Sequence, residues 1–237
     1  MTTDIANIIR RNKEEYTDAY DTMKWVTPEE IKIATLSRNR ILNTILKQPG
    51  AKRSFSNTKL YTHRLSPGCR LCGQGEWSCL FINGICNAGC FYCPSAQKDN
   101  GPPGIHALSF EHPENYVEYV NRFRIRGVSF SGGEPFLSFD RVVAFLKALR
   151  AGVRHPLYVW IYTNGILGDQ DKFLALKDAG LDEIRFDLSA DDYRLSMLKK
   201  AAGIIPCVTV EIPAIPEDLP RTKQLLQPLY DSGVDYL

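Results

Sequence analysis

Three cysteines stand within eight positions, Cys86, Cys90 and Cys93 in the stretch CNAGCFYC. The chain holds seven cysteines in all, and six of them, Cys69, Cys72, Cys79, Cys86, Cys90 and Cys93, fall within 25 positions. Disulfide frameworks belong to small secreted domains, and this chain is neither small nor visibly secreted, so clustered thiols point to metal. Iron–sulfur clusters take one thiolate per iron, so three cysteines on a four-iron cluster leave one iron open. An open metal position is what lets a metal site bind a substrate, as distinct from holding a fold together. Structural zinc asks for four ligands. That alternative would join Cys90 and Cys93 to Cys69 and Cys72, leaving Cys79 and Cys86 without a role.

Composition sets wider bounds. The 237 residues are 44% hydrophobic and 24% charged, with a net charge of +2. This is ordinary globular usage, without the basic run of a nucleic-acid groove. No stretch approaches the ~20 apolar residues of a membrane-spanning helix. The opening MTTDIANIIRRNKEEY carries acids early and lacks the apolar core of a signal peptide, so a cytoplasmic location is expected.

Along the chain, residues 1–66 read as a helical extension. Thr27, Pro28 and Glu30 form a helix start with a capping box, and Ile31, Ala34, Ile41, Leu42, Ile45 and Leu46 follow as one apolar stripe. The stripe is expected to pack on the main domain, and residues 51–67 to be loop. A Cys-rich segment, 67–79, is read as metal-binding. From about residue 78 short apolar runs alternate with helical patterns. Strands are expected at 79–83, 127–131, 157–163, 183–189 and 206–212. Helices are expected at about 112–124, 138–150, 170–179, 191–202 and 217–231. Such βα units suit a parallel sheet, either a partial barrel or an open wound sheet. The closing VDYL reads as a sixth strand cut short, so the sequence is expected to be a fragment.

Cys86, Cys90, Tyr92 and Cys93, as C-x3-C-x-aromatic-C, resemble the signature of the radical SAM superfamily, and SGGEP at Ser131–Pro135 falls at the second strand's end, where that family has it. The resemblance covers roughly residues 78–237, and its nearest likeness is to the activating-enzyme and peptide-maturase branches. It implies an α/β fold, a partial (β/α)6-type TIM barrel behind the N-terminal helical extension. It implies that Cys86, Cys90 and Cys93 hold a 4Fe–4S cluster whose fourth iron binds S-adenosyl-L-methionine. One-electron cleavage of the sulfonium would yield a 5′-deoxyadenosyl radical that takes a hydrogen atom from substrate. Gly132, Gly133, Glu134 and Pro135 match the motif that binds the methionine amino group, with glycines allowing close approach and a carboxylate able to accept from an ammonium. Tyr92 matches the aromatic position near the adenine. Asn164 and Ser189, at later strand ends, are candidates for the ribose hydroxyls or methionine carboxylate, and Glu211 is a weaker one. An electron donor such as flavodoxin or ferredoxin and a protein, peptide or small-molecule substrate are the implied partners.

Cys69, Cys72 and Cys79 are expected to form a separate site. The strand that carries Cys79 ends near Cys86, roughly 20 Å away at ~3.3 Å per residue. Zinc or a second iron–sulfur cluster would suit these thiols, with His63 as one possible fourth ligand. Cys207 reads as a buried core cysteine. Arg185 and Asp187 lie on one strand face, able to pair or to line the cavity. GPPG, 101–104, reads as a surface connection near the triad. The competing function is a non-catalytic iron–sulfur or zinc protein serving electron transfer or binding.

Overall fold

In the computed structural model, which describes residues 5–93 and 98–237, the chain divides into two compact units. One runs to Arg53 and takes in Leu60–His63, and the other comprises Ser54–Lys59 and Arg64–Leu237. The first unit is built on α1 (Ile5–Tyr16), α2 (Asp18–Thr22) and α3 (Pro28–Ile45). The capping box forms: Glu30 N donates to the Thr27 hydroxyl at 3.2 Å, and Thr27 N donates to the Glu30 carboxylate at 2.7 Å. No residue of α3 is buried, and Ile31 and Ile41 of its apolar stripe are more than half exposed. Strands β1 (Ala51–Ser54) and β2 (Lys59–Thr62) pair where the polarity suggested loop. Phe55, Ser56 and Asn57 turn the chain between them with positive φ.

The second unit opens with α4 (Pro67–Gln74), started by Ser66, whose hydroxyl accepts from Cys69 N, and stopped by Gly75 in the left-handed region. It continues through β3 (Trp77–Ile85), β4 (Lys98–Asp99), β5 (Gly104–Ile105), β6 (Leu108–Ser109), α5 (Pro113–Arg122) and β7 (Gly127–Gly132). There follow α6 (Phe139–Gly152), β8 (Tyr158–Thr163), α7 (Gln170–Asp178), β9 (Glu183–Asp187), α8 (Ser196–Ala202), β10 (Cys207–Glu211) and α9 (Leu219–Asp231). Strands β3, β7, β8, β9 and β10 are parallel neighbours in that order, and β4 and β5 pair antiparallel to β3. Tyr236 bridges Thr209 in parallel, at the position of the expected sixth strand. The sheet is an open arc rather than a closed barrel.

Alternation along the strands gives the sheet two unlike faces. Leu80, Ile82, Val128, Phe130, Val159, Ile161, Ile184, Phe186, Val208 and Val210 lie on one, fully buried in a core shared with residues of α5–α9 such as Val120, Leu146, Leu176, Leu198 and Leu229. The other face carries Trp77, Cys79, Ser129, Trp160, Tyr162, Glu183, Arg185 and Thr209. Here α4 packs, with Gly68 so close that an added Cβ would lie 2.4 Å from the Arg185 guanidinium. The purely apolar reading of these strands therefore held for one face only. Cys207 sits on the polar face beside Tyr158 and Glu183, half-buried, rather than in the apolar core. Among the described residues no helix is long and apolar enough to cross a membrane.

Candidate active site

The parallel strands all deliver their carboxyl ends to one rim, which in βα architectures is where function gathers. A cavity of about 540 Å³ opens there. Cys86, Cys90 and Cys93 line it, on the loop after β3, together with Tyr92, Gly132, Gly133 and Asn164. Ser131, Tyr162, Thr163, Asp187 and Glu211 add polar groups to its wall. The loop is locally shaped by Cys93 N donating to Cys90 O at 3.1 Å and Ala88 N donating to Cys86 Sγ at 3.4 Å. Burial pushes the Cys86 thiol up, and the Ala88 amide opposes it. Three thiols lining a single roomy cavity, together with a glycine pair, fit an iron–sulfur group with a small ligand next to it. No set of three or more His, Cys, Asp or Glu among the described residues is drawn tightly around one point as for a single metal ion.

The glycines of SGGEP have a reason in the sheet itself. After β7 the chain crosses over the end of β3, with Gly133 N donating to Asn83 O at 3.0 Å and Glu134 N to Ile85 O at 2.7 Å. A Cβ on Gly132 would stand 2.0 Å from Asn83 O, and one on Gly133 1.9 Å from Ile85 O. Gly132 also holds φ +122°, open to glycine alone in practice. The close approach demanded of these residues is thus to the neighbouring strand.

Glu134 turns inward. Its carboxylate is 1% exposed and accepts from Phe136 N (3.0 Å), the Thr163 hydroxyl (2.8 Å) and Asn164 N (2.8 Å). Burial pushes its pKa up and these three donors pull it down. Its side chain is not on the cavity wall, and Pro135 is buried beneath the turn. Both carboxylate oxygens are engaged by donors of the chain itself. Glu134 ties the end of β7 to the end of β8. Asn164 extends that tie to the cysteine loop: its Nδ2 donates to Asn87 Oδ1 at 2.7 Å and lies 3.9 Å from Cys86 Sγ.

Tyr92 and Ser189 meet at Asp187. The tyrosine hydroxyl donates to Asp187 Oδ2 at 2.9 Å and is 2.5 Å from Ser189 Oγ, while Ser189 N and Oγ both donate to Asp187 Oδ1. Burial and then the surrounding groups hold the Tyr92 phenol above its ordinary range. Ser189 lies on a smaller adjoining cavity of about 320 Å³ rather than on the main one. Asp187 and Arg185 do not pair. Arg185, 3% exposed, donates to Glu183 and Glu211 at 2.8 Å each and to the Ser66 hydroxyl at 3.0 Å. Glu211 reaches both that guanidinium and the cavity. Asn87 and Thr163 carry parts of the network that sequence reasoning passed over; their one signal is adjacency to Cys86 and Asn164.

The second cysteine group is spread across α4 and β3. Cys69 and Cys72 are one turn apart on the helix, and Cys69 Sγ accepts from Arg185 Nη1 at 3.6 Å. Cys79 lies near the start of β3, its thiol pushed up by burial against hydrogen bonds from Ser129 and Ser131. His63 falls in the first unit and these cysteines in the second.

Comparison with known proteins places this architecture. The radical SAM superfamily profile matches residues 80–206, over half of the chain. A Methanocaldococcus jannaschii protein provisionally named a glycyl-radical enzyme activating enzyme is 34% identical over 165 residues, covering 65% of this chain and 44% of its own. A Haemophilus influenzae protein with the same provisional name is 31% identical over 149 residues, covering 61% and 54%. The chain spans about half the length of these curated relatives. The solved structure of native anSMEcpe with bound AdoMet shares the fold, with a TM-score of 0.52 and 17% identity over 68% of this chain and 50% of that one. Cysteine loop, glycine turn, parallel sheet and matched profile converge, and the chain belongs to the radical SAM superfamily.

Proposed function

We propose that this chain is the core of a radical enzyme in which Cys86, Cys90 and Cys93 hold a 4Fe–4S cluster and the adjoining cavity takes S-adenosylmethionine. The observation that carries this reading is that all three thiols and the Gly132–Gly133 turn line one cavity at the carboxyl ends of the sheet. When bound, that pair supplies one-electron cleavage of the sulfonium, yielding methionine and a 5′-deoxyadenosyl radical that takes hydrogen from substrate. The protein's share is positioning and shielding. Gly132 and Gly133 offer backbone groups to the methionine end, and Tyr92 fixes the loop through Asp187 and Ser189. Glu134 and Pro135 hold the glycine turn from behind, and Asn164 joins that turn to Cys86.

The names of the curated relatives favour a glycyl residue of a partner protein as hydrogen donor, with flavodoxin or ferredoxin as the source of the electron. We assign residues 1–66 to an extension, 67–79 to a Cys-rich segment and 78–237 to the radical core, in a cytoplasmic protein. Cys69, Cys72 and Cys79 are the candidates for zinc or a further cluster, which metal analysis of Cys72→Ser against the parent chain tests.

The deciding experiment is anaerobic reconstitution with iron and sulfide, followed by dithionite and S-adenosylmethionine. Formation of 5′-deoxyadenosine, lost in Cys90→Ala, is the expected result. A stable cluster giving none under any reductant overturns the enzyme reading in favour of an electron carrier.

A further inference from the structure

We propose that Asn164 tunes the Cys86 sulfur, acting as a positioning residue for the cluster rather than as a contact for S-adenosylmethionine. This rests on the assignment of Cys86 as a cluster ligand. Three hydrogen bonds determine how the Asn164 carboxamide faces. Its backbone N donates to Glu134 Oε2 at 2.8 Å, which fixes the residue at the end of β8. Its Oδ1 accepts from Ile166 N at 3.0 Å. Only an oxygen can meet that N–H, so the orientation of the amide is settled by the chain itself and Nδ2 must face the cysteine loop. There one of its N–H groups goes to Asn87 Oδ1 at 2.7 Å. The other has Cys86 Sγ 3.9 Å away, a long but permissible N–H···S contact.

Cys86 Sγ therefore faces two nitrogen donors, Asn164 Nδ2 and, at 3.4 Å, Ala88 N. Hydrogen bonds to a ligating sulfur draw electron density from it, and they are among the terms that set iron–sulfur reduction potentials. Asn87 and Ile166 together hold the donor in place, and Asn164 itself is only 7% exposed.

The test uses the full chain, reconstituted anaerobically, as the parent, Asn164→Ala and Asn164→Asp. Alanine removes the donor; aspartate keeps an acceptor for Ile166 N but turns an oxygen toward Asn87 and Cys86. All three retain the backbone bond to Glu134. The cluster midpoint potential is read by EPR-monitored titration without S-adenosylmethionine, and the affinity for S-adenosylmethionine is measured separately by equilibrium binding. The expected result is a lower potential in both variants, lower in aspartate than in alanine, at iron content equal to the parent. Unchanged potentials, or a loss confined to S-adenosylmethionine affinity, overturn the proposal. A parent chain that takes up no four-iron cluster fails at the ligand assignment instead, a different result read from iron and sulfide content. Should Asn164→Asp fail to fold, Asn164→Ala alone decides between these outcomes.

Discussion

The Tyr92 hydroxyl reaches across 95 residues of sequence to donate to Asp187 at 2.9 Å. Tyr92 immediately precedes Cys93, and Asp187 closes β9, so one phenol fastens the thiol-bearing loop to the far side of the rim. Asp187 is itself held by the amide and hydroxyl of Ser189. The aromatic expected beside an adenine thus has a structural task at its oxygen, whatever its ring touches.

Tyr92→Phe removes that fastening and leaves the ring. A hydrogen bond to a charged group contributes about 1.5–3 kcal/mol net, so release of iron from the reconstituted protein to a chelator should quicken by about tenfold or more. Absorbance decay at the cluster band measures it; an unchanged rate means that the loop is held elsewhere.

Gly133→Ala should be far more harmful than Gly89→Ala. The first drives a methyl group into Ile85 O at 1.9 Å, whereas a Cβ on Gly89 meets nothing within 4 Å. Relief requires parting β7 from β3, with loss of the Glu134 N to Ile85 O bond. We expect a loss of at least about 2 kcal/mol for Gly133→Ala and under about 0.5 kcal/mol for Gly89→Ala in denaturant unfolding.

Arg185→Ala strands Glu183, which is fully buried, without its cation. Breaking a buried pair from one side costs about 3–5 kcal/mol. Equilibrium unfolding of the apoprotein should show this, and Arg185→Lys should recover only part, since one ammonium cannot reach Glu183, Glu211 and Ser66 together.

Cys207 gives a pH signature. Burial, reinforced by Glu183, pushes its thiol up to about 12 from an ordinary 9.0. The folded chain keeps a proton that the unfolded chain releases, so this contribution is whole below about pH 9 and fades as pH rises toward 12. Stability should decline above pH 9, and Cys207→Ser should flatten the decline. At pH 8, iodoacetamide labelling of Cys207 in the native protein should be slower by more than about a hundredfold than in denaturant, as mass spectrometry of the labelled peptides would show.

The βα rhythm was legible because β-branched and aromatic runs such as VSF, VWI and VTV bury one face under amphipathic helices. The expected strand at 127–131 and the observed Gly127–Gly132 differ by one residue. Legibility ended where structure rests on contacts distant in sequence. Strands of two residues, Lys98–Asp99, Gly104–Ile105 and Leu108–Ser109, are too short to carry a period, so GPPG read as mere connection though it adjoins the edge of β3. The cysteine triad announced itself by spacing. Glu134 did not show its orientation, because a buried carboxylate is recognised by its donors, and Thr163 and Asn164 lie about thirty positions away.

One further consequence concerns order of events. No residue between Cys86 and Cys93 belongs to the buried apolar core, which is complete in the strands and helices behind the rim. Unlike a zinc finger, which has no fold until its ion arrives, this scaffold can be finished first and furnished afterwards. Under the proposed cluster assignment, maturation becomes a transaction at the mouth of a standing protein, open to whichever carrier brings iron to the rim.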